Sequence, residues 1–277
     1  MRVEDLRRLL QTYGVRASKA RGQCFLLDES VLDRQVAAAA LRPSDRVLEI
    51  GPGIGNLTER LLRSGAQVVA IEQDLRLCRL LRERFEDSLE LIEGDAVQVP
   101  LPEFAKVVAN LPYQISSGIT FRLLERGFDR AVLLYQREFA DRLLAGPGSK
   151  TYGRLSVSAY CRAERERLAD VPAGAFWPPP KVSASLVRLR PRPRPFAVRD
   201  PELFERLVEA AFLHRRKTLL NSLRLEGEWL GLPRSALKEL AQRSALLEAR
   251  PEALSPEQLG ALSDLLAEAR PRSGSAV

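Results

Sequence analysis

Val47-Leu48-Glu49-Ile50-Gly51-Pro52-Gly53-Ile54-Gly55-Asn56-Leu57-Thr58 is the stretch that decides the fold. A short apolar run ends in glycines at alternate positions and passes at once into a helical pattern, so a strand is expected to turn sharply into a helix. Glycines there let the backbone approach a ligand at the carboxyl edge of a sheet, where open α/β folds bind ligands. Further short apolar or β-branched runs stand at 68–71, 89–92, 107–109 and 131–135, most of them separated by helical patterns. Strands that alternate with helices imply a parallel sheet covered on both faces. An opening helix is expected over 3–11, and a second runs from an Asp28 cap to Ala40 before Pro43 ends it.

Glu72 closes the second run about 20 residues beyond Gly51, the separation expected of a carboxylate that holds ribose hydroxyls. The two together read as a nucleoside-type cofactor site. A dinucleotide site has G-x-G-x-x-G around a pyrophosphate, whereas Gly51, Gly53 and Gly55 give G-x-G-x-G with the acid Glu49 just upstream. This pattern resembles the first motif of S-adenosylmethionine-dependent methyltransferases, whose ligand carries an amino acid group in place of phosphate. Gly94-Asp95-Ala96, after the third strand, adds a carboxylate suited to the adenine amino group of such a cofactor.

Asn110-Leu111-Pro112-Tyr113 follows the fourth strand directly. An aromatic amine such as adenine N6 is a poor nucleophile because its lone pair is conjugated with the ring. The Asn110 carboxamide oxygen and the Leu111 carbonyl can accept its two N–H bonds and hold the nitrogen in a more pyramidal geometry. Pro112 helps by biasing Leu111 towards an extended conformation. Tyr113 offers a face for a flipped base, and stacking of a base on an aromatic ring is worth about 1–3 kcal/mol. No general base is needed in this scheme, so catalysis is mostly positioning. Later in the chain, Phe176-Trp177-Pro178-Pro179-Pro180-Lys181 can cross over to the same pocket, with Phe176 on the other face of the base and Lys181 near a flanking phosphate.

The chain has 277 residues, 45% of them hydrophobic, enough for a real core. Its longest apolar run, 36–41, falls far short of the roughly 18 residues of a membrane span, and charges at Glu4, Asp5, Arg7 and Arg8 interrupt any secretory apolar segment. Three scattered cysteines point to reduced thiols in the cytoplasm rather than a disulfide framework. A single histidine, His214, argues against a His-based zinc site and a Ser-His-Asp triad, and no metal is expected. The net charge is +7, and between Lys181 and Arg224 eleven basic residues face four acidic ones, so the excess is local. That distribution suits a surface that tracks phosphates.

The composition changes after Phe176, and alternating Arg and Pro over 190–195 favour a stiff polyproline II connection. The expected organisation is a Rossmann-like α/β domain over 1–190, a basic linker over 191–199 and a small all-α domain over 200–277. Helices are expected at 201–213, 217–223, 235–244 and 255–269, followed by a frayed tail.

With these motifs in order, from Gly22-Gln23-Cys24-Phe25-Leu26 through Phe212-Leu213-His214-Arg215-Arg216-Lys217-Thr218, the chain resembles the ribosomal RNA adenine dimethyltransferases, the archaeal and eukaryotic branch included. That resemblance implies transfer of methyl groups from S-adenosylmethionine to N6 of two adjacent adenosines near the 3′ end of small-subunit rRNA. It implies cofactor contacts from Cys24, Leu26, Gly51, Gly53, Glu72 and Asp95, with Asn110 at the junction of cofactor and target amine. Tyr113 and Phe176 would stack the base, and Lys181, Arg215, Arg216 and Lys217 would engage rRNA in a small ribosomal subunit precursor. Cys24 stands where many members have asparagine, and Gly118 where a proline is common. The chain is expected to act as a cytoplasmic monomer without a membrane. Two alternatives stand beside this reading: a methyltransferase for another substrate (large-subunit rRNA, DNA adenine or a small molecule), and a non-catalytic factor of the same fold in ribosome assembly or transcription.

Overall fold

The computed structural model describes residues 1–15, 24–231 and 234–269, so Gly22, Gln23 and the expected frayed tail lie outside the described residues. The chain folds as two compact units, Met1–Ala140 with Ala163–Pro191, and Asp141–Arg162 with Arg192–Val277.

The first unit opens with α1 (Val3–Thr12), the short strand β1 (Phe25–Leu26) and α2 (Glu29–Ala39). It continues as β2 (Arg46–Ile50), α3 (Asn56–Arg63), β3 (Gln67–Glu72), α4 (Leu75–Phe85), β4 (Leu89–Glu93), β5 (Lys106–Asn110), α5 (Ser116–Arg126) and β6 (Arg130–Gln136). After α6 (Arg137–Leu144) and α7 (Arg154–Arg162) come β7 (Ala163–Val171), β8 (Phe176–Trp177) and β9 (Ala184–Pro191). The five apolar runs read from the sequence are β2 to β6, and the two opening helices are α1 and α2. The Asp28 carboxylate caps α2 by accepting from the Ser30 and Val31 amides, as its residue type leads one to expect.

The seven-stranded sheet has the order β4-β3-β2-β5-β6-β9-β7. β2 to β6 pair in parallel, and β9 lies antiparallel between β6 and β7, so the sheet is mixed rather than wholly parallel. Charge hides β7 in the sequence: it is an edge strand on which Glu164 and Glu166 stand opposite Arg190 and Arg188 of β9. Such cross-strand pairs stabilise an edge that apolar periodicity does not reveal.

Connections run to opposite sides of β2, which makes the gap between β2 and β5 the point where strand order reverses. The two strands pair through Val47 with Lys106 and Leu48 with Val107, and beyond that they part. Gln35 of α2, fully buried, donates from Nε2 to the carbonyls of Ala109 (3.1 Å) and Val132 (3.2 Å), tying β5 to β6 just before Asn110.

In the second unit α8 (Pro201–Leu213), α9 (Leu219–Leu230), α10 (Arg234–Arg243) and α11 (Pro256–Ala269) follow one another. Three lie close to the expected spans, while α9 runs on to Gly231, whose left-handed conformation ends it. The division of the chain differs from the expected three segments. Asp141–Arg162 belongs with the helical unit because Tyr152, Val157 and Cys161 are buried in one core with Leu203, Phe204 and Leu207. The Arg-Pro segment is built into that unit too: Arg192 and Arg194 stack on Tyr160 and Phe204, each 4.8 Å from the ring centre. Phe196 and Val198 pack against the same core.

A Cβ on Gly260 of α11 would fall 2.6 Å from the Phe196 ring and 3.3 Å from Val198. Gly260→Val is therefore expected to lower stability by about 1–3 kcal/mol through overpacking, measurable as a reduced denaturant midpoint.

Candidate active site

The turn from β2 into α3 is shaped by glycine. Gly51 sits at φ +66°, and a Cβ there would lie 3.0 Å from the Pro112 ring, so only glycine lets the turn and the Asn110–Tyr113 segment approach this closely. Gly53, at φ +61°, donates its amide to Glu72 Oε2 at 3.1 Å. The other Glu72 oxygen accepts from the amides of Gln73 (2.9 Å) and Asp74 (3.0 Å). Burial pushes the Glu72 carboxyl above its ordinary range, while these amides pull it back down.

A second wall comes from pairing distant in sequence. β1 runs antiparallel to β8, with Leu26 opposite Phe176 and Phe25 opposite Trp177. Asn56, the first residue of α3, donates from Nδ2 to the Leu26 carbonyl at 3.1 Å and fastens this ribbon to the glycine turn. The third wall is the end of β5, where the Leu111 amide donates to the Leu134 carbonyl at 3.2 Å. Asn110 Oδ1 and the Tyr113 hydroxyl are buried there and, among the described residues, have no hydrogen-bond partner; burial pushes the Tyr113 phenol up to about 12. A buried acceptor left unpaired costs about 1–3 kcal/mol, a penalty that a ligand N–H would relieve.

These walls enclose a cavity of about 450 Å³. Cys24, Leu26, Gly51, Gly53, Glu72 and Asn110, all expected to meet the cofactor, line it. Leu111, Pro112, Tyr113 and Phe176 line it as well, so the motif near residue 176 does reach the motif near residue 110. Asp95 is not among the lining residues. Its carboxylate sits in the turn after β4, accepting from the Val97 amide (2.9 Å) and Gln98 Nε2 (3.1 Å). Lys181 is exposed and does not line the cavity.

In the helical unit Arg216 and Lys217 are exposed. Arg215 is partly occupied in holding the fold, since it donates to the carbonyls of Lys150 and Ser149 and stands 4.0 Å from Glu252. A charge-rich run in sequence does not separate these two uses.

Sequence reading assigned no contact to several residues that line the cavity. Phe25, Asn56 and Asp74 are among them, and Asp74 could have been found from its place as a cap one residue before the α4 pattern. Glu49, noted only as the acid before the glycines, is 1% exposed, lines the cavity and accepts from Thr58 Oγ1 at 2.7 Å. Burial, reinforced by the negative charge of Glu72, pushes its carboxyl up to about 8 despite the Thr58 hydroxyl.

Among the described residues that line the cavity, none is Lys, Arg or His, while Glu49, Glu72 and Asp74 bring carboxylates. That donor set disfavours a pyrophosphate and fits a ligand that carries sulfonium and ammonium charges beside a ribose. Among the described residues no group of three or more His, Cys, Asp or Glu is arranged to hold a metal ion, and no helix is long and apolar enough to cross a membrane.

The buried Glu49 also sets a pH dependence of stability. Between the ordinary carboxyl range and about 8, the folded chain keeps a proton that the unfolded chain has lost, so stability falls as pH rises through that window. Glu49→Gln is expected to gain stability over the wild type from pH 5 to pH 8, seen as a widening difference in Tm. A difference constant with pH would mean that Glu49 is ionised throughout.

Comparison with known proteins agrees with this geometry. A protein named "Probable ribosomal RNA small subunit methyltransferase A" from Methanosarcina acetivorans is 44% identical over 271 residues, covering 96% of this chain and 100% of its own. A protein of the same name from Thermococcus onnurineus is 44% identical over 260 residues, covering 92% and 94%. Among solved structures, a dimethyladenosine transferase from Plasmodium falciparum superposes with a TM-score of 0.73 at 31% identity, covering 88% of this chain and 96% of its own. The 23S rRNA methyltransferase ErmE gives 0.63 at 30% identity, covering 88% and 99%. The sequence pattern of the ribosomal RNA adenine dimethylases matches residues 14–245, and the chain belongs to that family of S-adenosylmethionine-dependent methyltransferases.

Proposed function

We propose that this chain transfers methyl groups from S-adenosylmethionine to N6 of two adjacent adenosines near the 3′ end of small-subunit rRNA, in a ribosomal precursor. The observation that carries the reading is the buried carboxamide oxygen of Asn110, unpartnered among the described residues, in the same cavity as Glu72, Tyr113 and Phe176. The small-subunit assignment rests on relatives 44% identical over nearly their whole length, against 30% for the 23S enzyme.

Glu72 holds the ribose hydroxyls with the lone pairs that its three backbone amides leave free. The turn at Gly51 and Gly53 brings backbone within reach of the amino acid moiety, and Cys24 and Leu26 line the side opposite. Asp95 keeps its proposed part at the adenine amino group, which requires it to share a carboxylate already used in its own turn. S-adenosylmethionine supplies a methyl group made electrophilic by the positive sulfonium.

On the substrate side, Asn110 Oδ1 and the Leu111 carbonyl accept the two protons of the target amine and direct its lone pair. Tyr113 and Phe176 stack the extruded base, while Pro112 fixes the turn that presents these groups. The raised Tyr113 phenol stays protonated at neutral pH and places no negative charge beside the amine. Lys181, Arg216 and Lys217 attract RNA phosphates, with a smaller part for Arg215. The chain acts in the cytoplasm and as a monomer.

Purified protein incubated with labelled cofactor and unmodified small subunits should yield dimethyladenosine at two adjacent positions, with large subunits, naked rRNA and duplex DNA giving little label. Label on another substrate would keep the chemistry and overturn the substrate. Asn110→Ala should abolish transfer while cofactor binding changes by a few fold at most, and near-normal turnover would remove Asn110 from the reaction. Replacing Arg216 and Lys217 together by alanine should weaken RNA binding and reduce the slope of log affinity against log salt by about 1–2.

A further inference from the structure

Among the described residues, Glu49 is the acid of the cavity whose charge has least support. Glu72 is held by three backbone amides, and Asp74 is paired with the Arg76 guanidinium at 2.8 Å. On Glu49, Oε2 takes the Thr58 hydroxyl, and among the described residues no hydrogen bond reaches Oε1. A carboxylate so buried and so thinly supported is costly as an anion at neutral pH unless a positive charge is brought beside it.

Among the described residues, the groups that line the cavity with it supply no such charge. From β3 and the residues after it come Glu72 and Asp74, from the segment after β5 come Asn110 and Tyr113, and from beside β1 comes Cys24. Helix α3 offers Thr58, while its charged residues are engaged elsewhere: Glu59 with Arg63 and Arg84, and Arg60 with Asp33.

We propose that Glu49 is a proton-exchanging counter-ion for the positively charged cofactor, protonated in the empty chain and ionised once the cofactor is bound. The inference rests on the cofactor assignment and not on the RNA substrate. In the empty cavity the proton removes a charge that burial and Glu72 make costly. When a cationic ligand enters, the O–H bond of the Glu49 carboxyl breaks, its proton passes to solvent, and the carboxylate faces the ligand charge. Affinity for the cofactor therefore contains the work of removing that proton and strengthens as pH rises towards the point where Glu49 is already ionised.

The test is calorimetric binding of S-adenosylmethionine, without RNA, in buffers of different ionisation enthalpy, with wild type and Glu49→Gln side by side. The cofactor's own α-amino group titrates near neutrality, so the counts are compared at about pH 6.5, where that group is already ammonium both free and bound and the difference in protons released belongs to Glu49. Wild type should release about one proton more than the variant at that pH. Equal counts would overturn the proposal.

A second variant leaves Glu49 in place and guards against a misfolded Glu49→Gln. Thr58→Val removes the hydroxyl that favours the anion, so proton release should persist to higher pH than in wild type, and an unshifted profile would overturn the proposal. S-adenosylhomocysteine, which keeps the ammonium but lacks the sulfonium, identifies the charge that Glu49 meets. Release retained with it assigns the ammonium, and release lost assigns the sulfonium. Loss of a protonated-carboxyl band in infrared difference spectra on adding cofactor should accompany the release, and its absence would count against it.

Discussion

The parting of β2 from β5 is the constraint from which the rest of the catalytic unit follows. Two registered residue pairs hold these strands together, after which their ends diverge. Divergence leaves backbone groups at the sheet edge without ladder partners, and buried backbone groups must find others. Gln35 braces β5 against β6 through the Ala109 and Val132 carbonyls, and the Gly51 amide carries the β2–β3 ladder one step further, to the Ile71 carbonyl at 2.9 Å. With both edges thus secured, the space between them stays open, and each functional loop begins at its rim.

Electrostatics then selects what fills the space. The cavity gathers acids and, among the described residues, no base, an arrangement costly in an empty fold. Each acid is handled differently: amides around Glu72, a guanidinium beside Asp74, a hydroxyl on Glu49. Polarity of the site is therefore set before any ligand arrives, and a phosphate-bearing cofactor would meet repulsion where a sulfonium meets attraction. A shared sheet topology says little about such preferences, which lie in side chains on its loops.

What could be read from the sequence follows from how local each signal is. The parallel strands are buried on both faces and appear as unbroken apolar runs, so 47–50 and 131–135 announce themselves, and the glycine turn with Glu72 carries its own spacing. The aromatic-proline motif at Phe176 could be expected to cross over to the same pocket, and the resemblance to the dimethyltransferases supported this, but the juxtaposition itself depends on the β1–β8 pairing, which no local pattern encodes. β7 escaped because its alternation is one of charge, and segment 141–162 because its partners lie some fifty residues further on in α8. Arg215 shows the limit from the other side, since the basic run it belongs to reads the same whether an arginine meets phosphate or a backbone carbonyl.

The two units are each stitched from two stretches of chain, and this governs how the molecule can be made. As the chain emerges during synthesis, the parallel strands can assemble early, but the cavity lacks one wall until β8 has followed the whole of 141–162. Those residues must wait in turn for α8 to α11 before their apolar side chains are covered. Neither unit is complete when the other begins, so for a time both expose apolar surface, and the interval between residues 140 and 270 is the period in which the nascent chain is most open to misassembly or capture by a chaperone.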